Sequence, residues 1–224
     1  AGAGAAAQQA TATPGGAADP KDLLQDDDNK MQSAHLFNQF ALKDYFPTLE
    51  ETFKKVPASV GFNVEVKYPE ALVKAAMLAK WPSRDELVEA TLAVVFKHAG
   101  KRSIMFSSFD PDICLILSLK QTIYPVFLLT DSGMSVEPHD PRRNSLREAI
   151  KFAVAHKLFG IVSVSDPLCD APELIQAVVE SGLVLCTYGK RNNEIPYVRL
   201  QQRHGVHGII ADHVAHISKS LCKK

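Results

Sequence analysis

Gly61-Phe62-Asn63-Val64-Glu65-Val66-Lys67-Tyr68-Pro69 alternates strictly between apolar and polar side chains. In an extended chain Phe62, Val64 and Val66 point one way while Asn63, Glu65 and Lys67 point the other. A strand is therefore predicted over Phe62–Lys67. Its polar face carries an amide, a carboxylate and an ammonium. Such a face must meet water, a metal, a substrate or other charges, because an unpaired buried charge is costly. Taken alone, it is explained by a solvated Glu/Lys pair; the chain on either side argues for more.

Just upstream, Pro47-Thr48-Leu49-Glu50-Glu51 has the form of a helix start, with Thr48 as N-cap and Glu51 three residues on as its reciprocal partner. Downstream, a rhythm sets in. Strands are predicted at Ser103–Ser107, Val126–Thr130, Gly160–Ser163, Leu183–Tyr188 and Gly208–Ala211. Helices follow at Arg84–Ala99, Pro111–Lys120, Ser145–His156, Pro172–Ser181, Ile195–Arg203 and Val214–Cys222. Runs such as Val126–Leu129 are wholly apolar, as expected of parallel strands covered by helices. Repeated βα units of this length imply an α/β fold of the TIM (β/α)8 barrel type rather than a dinucleotide-binding sheet, since no G-x-G-x-x-G follows a strand. About six of the eight βα units are present.

The chain has 224 residues, 46% hydrophobic and 22% charged, with zero formal net charge. That balance offers no global field for nucleic acid or anionic membrane, and no apolar run is long enough for a membrane span. Cys114, Cys169, Cys186 and Cys222 are widely spaced and form no C-x-x-C. They suggest neither a zinc knuckle nor a disulfide framework, and point to a reducing, intracellular setting such as cytoplasm or an organelle stroma or matrix. Residues 1–30 are rich in Ala, Gly, Gln and Thr, with an acidic patch at Asp26-Asp27-Asp28. They are expected to form a disordered linker, with an irregular approach from Met31 to Phe46 and the partial barrel as a whole over 31–224.

In a barrel, chemistry gathers at the C-terminal ends of the strands. Here those ends read Glu65-Val66-Lys67, Ser107-Ser108-Phe109-Asp110, Thr130-Asp131, Ser163, Thr187-Tyr188-Gly189 and Asp212. Asp110 before Pro111 is explained as a helix cap and Asp131 near Gly133 as a turn. Glu65 and Lys67 have no such explanation. A glutamate is a hard oxygen ligand for magnesium or calcium, and a lysine is a point charge for a phosphate oxygen. The pairs Lys101-Arg102 and Arg142-Arg143 read as loop surface, with a phosphate contact as the lesser alternative for Arg142-Arg143, and Trp81 and Tyr124 read as core or rim packing.

The run of motifs resembles the glycerophosphodiester phosphodiesterase family, in particular its plant-type and eukaryotic cytosolic-type members. The resemblance rests on Val60–Lys67, Ile104–Asp112, Tyr124–Asp131, Arg142–Leu146, Thr187–Asn193 and Gly205–Asp212, and it runs from about Pro47 to Val214. It implies a barrel of the phospholipase C-like phosphodiesterase type. It also implies magnesium- or calcium-dependent hydrolysis of glycerophosphodiesters to sn-glycerol 3-phosphate and an alcohol. By the family pattern Glu65 is a metal ligand, Lys67 contacts the substrate phosphate, and Tyr188 lines the glycerol end of the pocket.

The family's His-Arg-Gly strand, its Glu-x-Asp pair and the following His-Asp are absent, and His207 stands where the family usually carries aspartate. No catalytic acid or base is therefore assigned within this chain. The resemblance implies strands three to eight of the barrel, with the first two strands, or a partner chain, covering the open sheet edges. The alternative is a non-catalytic, degenerate barrel serving as a structural or interaction subunit.

Overall fold

In the computed structural model the described residues are 46–69, 81–135 and 140–221. The expectations for residues 1–45 and for Cys222 lie outside them. Helix α1 (Leu49–Lys55) opens on the anticipated capping box: Glu51 N–H donates to Thr48 Oγ1 at 3.2 Å, and the Glu51 carboxylate accepts from Thr48 N–H at 2.8 Å. Each N-terminal donor so satisfied is worth about 1 kcal/mol. Strand β1 (Phe62–Glu65) follows, then α2 (Arg84–His98), β2 (Ile104–Ser108), α3 (Pro111–Lys120) and β3 (Val126–Thr130). The chain continues through α4 (Pro141–Asn144), α5 (Leu146–Ala155), β4 (Gly160–Val164), α6 (Ser165–Asp170), α7 (Glu173–Glu180) and β5 (Val184–Tyr188). It closes with a 3-10 turn (Lys190–Asn193), α8 (Ile195–Arg203), β6 (Gly208–Ile209) and α9 (Val214–Leu221).

Among the described residues the sheet has six strands in the order β1-β2-β3-β4-β5-β6, every neighbouring pair parallel. This is the larger part of a (β/α)8 barrel wall, as the βα rhythm implied. Val64, Phe106, Leu128, Ile161 and Leu185 pack outward with Val88, Leu92, Ile113, Leu117 and Ile175 from the helices. The opposite face carries a separate cluster made of strand and strand-end residues only: Phe127, Leu129 and Val162, with Met105, Phe109, Val184, Cys186 and Tyr188 against them. Period-2 alternation thus assigns each strand residue either to the helix layer or to the barrel interior.

The predicted elements are all present with ends shifted by a residue or two. The larger differences are at the sheet edges. β1 ends at Glu65, so Lys67 lies beyond it, and β6 has two residues instead of four. Each has one neighbouring strand among the described residues, and a ladder bonded on one side frays first. The short helices α4 and α6 and the 3-10 turn were not anticipated, because four to six residues are too few to show a period.

Register explains one glycine. Gly160 lies in the interior row Phe127–Gly160–Val184, where a Cβ would sit 2.0 Å from the Val184 carbonyl oxygen and 2.7 Å from the Phe127 ring. Neither backbone nor a packed ring can yield that much. Gly160→Ala is therefore expected to destabilise the fold by about 3 kcal/mol. A urea midpoint unchanged from that of the parent protein would refute the crowding.

Arg102 corrects an expectation. It is not loop surface but 6% exposed. Its guanidinium donates to the carbonyls of Phe53 (3.3 Å), Val56 (2.9 Å) and Pro57 (2.7 Å), and to that of Val60. It lies 4.3 Å above the Phe62 ring. The turn between α1 and β1 exposes carbonyls that no helix or sheet uses, and a planar cation with several donors can collect them.

Candidate functional site

Glu65 is the last residue of β1, level with Ser107 of β2, and its side chain is 33% exposed. Val64 and Val66 on either side are buried in the helix layer, which turns Glu65 to the interior face of the barrel mouth. Lys67 follows, 80% exposed, with Nζ 3.7 Å from Glu65 Oε1. A pair so long and so wet contributes less than about 1 kcal/mol, so Lys67 can leave Glu65 for another anion at little cost.

Tyr188 ends β5 on the same interior face and is half-buried. Its hydroxyl reaches the Thr130 carbonyl and Asp131 Oδ1, both at 3.4 Å. Burial pushes the phenol pKa well above its ordinary value; Asp131 adds to that and Arg143 opposes it. The Glu65 carboxylate contributes in the same upward direction, so Glu65, Asp131, Arg143 and Tyr188 share one electrostatic neighbourhood. Tyr188 stays protonated at neutral pH, fit to donate a hydrogen bond and unfit to act as a base.

Around these lies a group that the sequence reading assigned to a turn and to loop surface instead of the site. Asp131 does sit in the anticipated turn, closed by Met134 N–H to the Asp131 carbonyl at 2.9 Å. Its carboxylate, however, faces the mouth and pairs with Arg143 Nε at 3.1 Å. The Arg143 guanidinium stands 4.7 Å over the Phe109 ring, and Phe109 meets Tyr188 edge-on at 5.9 Å. The two halves of the Arg142-Arg143 pair thus diverge. Arg142 joins Asp112 at 2.9 Å and Asp140 at 2.6 Å, while Arg143 turns to the interior. The signals in the sequence were the recurrence of polar and aromatic residues at strand ends and the basic pair Arg142-Arg143.

Other strand-end polar residues are scaffold. Asp110 caps α3, accepting from Asp112 and Ile113 N–H at 3.0 Å each, and also pairs with Arg84 at 2.7 Å. Arg84 stacks 4.6 Å from the Tyr68 ring, next to Lys67. An alternating chain Arg84–Asp110 and Asp112–Arg142–Asp140 therefore ties together the loops after β1, β2 and β3. Thr187 donates to Gln201 at 2.6 Å, and Asn192 and Gln201 complete a buried, mutually bonded triad below Tyr188. His207 lies at the start of β6, the opposite end from Glu65. Its N–H donates to the Leu185 carbonyl at 2.9 Å and its Nδ1 accepts from Leu185 N–H at 3.1 Å. The departure at position 207 therefore bears on strand pairing, not on the mouth.

The described residues do not by themselves make a divalent-metal site. Among the described residues no three His, Cys, Asp or Glu side chains converge. Asp131 is committed to Arg143, which leaves Glu65 as one hard oxygen donor, and hard cations of this class take several. No helix among the described residues is long and apolar enough to cross a membrane.

The chain matches the glycerophosphoryl diester phosphodiesterase family over residues 10–216, reaching further toward the N-terminus than the run of motifs that begins near Pro47. It is 44% identical over 178 residues to a glycerophosphocholine phosphodiesterase of Schizosaccharomyces pombe, covering 79% of this chain and 16% of that protein. To a chloroplastic glycerophosphodiester phosphodiesterase of Arabidopsis thaliana it is 40% identical, covering 81% of this chain and 49% of the other. It thus spans less than half the length of these relatives. A phosphodiesterase of Oleispira antarctica, solved in complex with the product sn-glycerol-3-phosphate, shares the fold with a TM-score of 0.60 at 14% identity, over 78% of this chain and 61% of that one. The parallel barrel wall, the glutamate at its mouth and a family match across nearly the whole sequence agree, and the chain belongs to the glycerophosphoryl diester phosphodiesterase family.

Proposed function

We propose that this chain supplies the substrate-facing part of a glycerophosphodiester phosphodiesterase site, which hydrolyses a glycerophosphodiester to sn-glycerol 3-phosphate and an alcohol. Strands β1 to β6 would be the third to eighth of the barrel, within 31–224, and residues 1–30 a linker. The observation that carries this is the placement of Glu65 at the barrel mouth, in the same neighbourhood as Tyr188 and followed by Lys67. Relatives at 44% and 40% identity named for this activity support it.

Each residue then has a role its chemistry allows. Lys67, exposed and loosely paired, neutralises charge on the phosphate. Tyr188, held neutral, donates its hydroxyl toward the glycerol end. Glu65 is this chain's ligand for magnesium or calcium, the remaining donors coming from outside the described residues. When bound, such a cation polarises phosphoryl oxygens. The three described cysteines are free thiols, consistent with an intracellular setting.

The test is direct. The full-length protein, incubated with glycerophosphocholine and magnesium or calcium, is expected to release sn-glycerol 3-phosphate and choline in equal amounts. No release would sink the hydrolase reading. A second reading, a barrel kept as an interaction subunit, is favoured by the lack of a converging metal set among the described residues, and that outcome would select it.

A further inference from the structure

We propose that Asn192, which closes a buried hydrogen-bonded ring with Thr187 and Gln201, is a positioning residue for Tyr188: it fixes the direction in which the Tyr188 hydroxyl points at the barrel mouth. The inference rests on the phosphodiesterase reading, which gives Tyr188 the glycerol end of the pocket, and deepens it with a residue buried away from that pocket.

The hydroxyl of Tyr188 is weakly located by its own contacts. It meets the Thr130 carbonyl and Asp131 Oδ1 at 3.4 Å each, near the limit of a hydrogen bond. The backbone must aim it. Alternation along β5 puts Tyr188 on the interior face and Thr187, the residue before it, in the helix layer. There the Thr187 hydroxyl donates to Gln201 Oε1 at 2.6 Å and accepts from Asn192 Nδ2 at 3.1 Å, while Gln201 Nε2 donates to Asn192 Oδ1 at 2.9 Å. All three residues are fully buried. Hydrogen bonds closed in a ring strengthen one another and have direction, so this layer sets the angle of the strand end where apolar packing would set only its distance. The chain after Tyr188 is held as well. Gly189 takes a φ of +120°, which L residues rarely adopt, and a Cβ there would stand 3.0 Å from Ser165 Oγ. That turn leads into the 3-10 segment and returns Asn192 to the ring. Asn192 Nδ2 also donates to the Ile210 carbonyl at 3.0 Å, and Ile210 N–H donates to the Thr187 carbonyl at 2.8 Å. Strand β6 has only two residues, so these bonds fasten its end to the same ring.

The experiment reads the placement of Tyr188 separately from turnover. The full-length protein is labelled with 3-fluorotyrosine, and the fluorine resonance missing from Tyr188→Phe identifies Tyr188. Asn192→Ala, and Thr187→Val, which keeps the branched shape and removes the hydroxyl, are each expected to shift or broaden that resonance while the other tyrosine signals stay in place. Thr187→Ser, which keeps the hydroxyl, should leave it where the parent has it. In glycerophosphocholine hydrolysis Asn192→Ala and Thr187→Val should each lower kcat/KM about tenfold in the parent background, the scale of a misplacement of part of an ångström. In a Tyr188→Phe background each should cost less than about twofold, since a residue that acts through the hydroxyl has nothing left to aim. A merely structural role predicts the same factor in both backgrounds. That equality, or a Tyr188 resonance unmoved in both variants, overturns the proposal. Should Thr187→Val fail to fold, Gln201→Met opens the same ring from α8 and is read in the same way. A Tyr188 resonance that moves in these variants, in a protein whose parent releases no choline, would defeat the hydrolase reading and leave Asn192 as the residue that positions Tyr188.

Discussion

Replacing Glu65 by glutamine in the full-length protein is expected to lower turnover of glycerophosphocholine by about 100-fold or more, the scale of losing one well-placed electrostatic group at a phosphoryl centre. The substitution keeps the size and the extended geometry of the side chain and removes its charge. It should cost the fold little. The side chain is 33% exposed and its contact with Lys67 is 3.7 Å, a pair worth less than about 1 kcal/mol. Two measurements therefore separate the possible causes. A thermal midpoint close to that of the parent together with lost kcat places Glu65 in the chemistry. Turnover within about threefold of the parent would remove it from the site, because one weakened hydrogen bond accounts for a change of that size. Metal titration adds a further readout: the half-saturating magnesium or calcium concentration should rise in Glu65→Gln if its carboxylate is a ligand.

Much of this could be read from the sequence because it rests on local periodicity. Alternation over Phe62–Lys67 placed Glu65 opposite Val64 and Val66, and burial of those two valines in the helix layer is what turns Glu65 to the mouth. Helices such as Pro111–Lys120 and Ile195–Arg203 were bounded to the residue by proline at their starts, whose fixed φ and missing N–H suit the first turn. The unread part is what depends on long-range geometry. Asp131 satisfied a turn motif, which concealed the second role of its carboxylate. Arg142 and Arg143 are neighbours in sequence, yet they serve different places, because a short helix sends consecutive side chains in different directions. No pattern of residue types distinguishes the arginine that enters a site from the one that braces a loop. The same limit applied to Lys101-Arg102, where two basic residues in a loop suggested solvent.

Arg102→Met is expected to destabilise the fold by about 3–5 kcal/mol, close to what breaking a buried charge's interactions costs and a large share of a domain's net stability. Methionine keeps much of the side chain's bulk but none of its donors. The carbonyls of Phe53, Val56, Pro57 and Val60 would then face an apolar wall, each losing a charge-assisted partner in a place with little water. The Phe62 ring, 4.3 Å beneath the guanidinium, would lose its cation as well. Arg102→Lys should fall between, since one ammonium has three donors and no planar fork to span the turn. Thermal unfolding checks the order: a fall in midpoint of about 10 °C for methionine and a smaller one for lysine. The consequence for function is indirect and follows from connectivity. Arg102, two residues before β2, joins the C-terminal end of α1 and the turn that enters β1 to the start of β2, so it sets where β1 begins. Strand β1 carries Glu65 only three residues beyond its first residue, Phe62, and a loosened start shifts that carboxylate at the mouth. Loss of turnover in Arg102→Lys at temperatures where the protein remains folded, with KM rising along with the fall in kcat, would show that this turn positions the site. A midpoint within about 2 °C of the parent for Arg102→Met would mean that water reaches these carbonyls, and that burial at Arg102 does not carry the weight assigned to it.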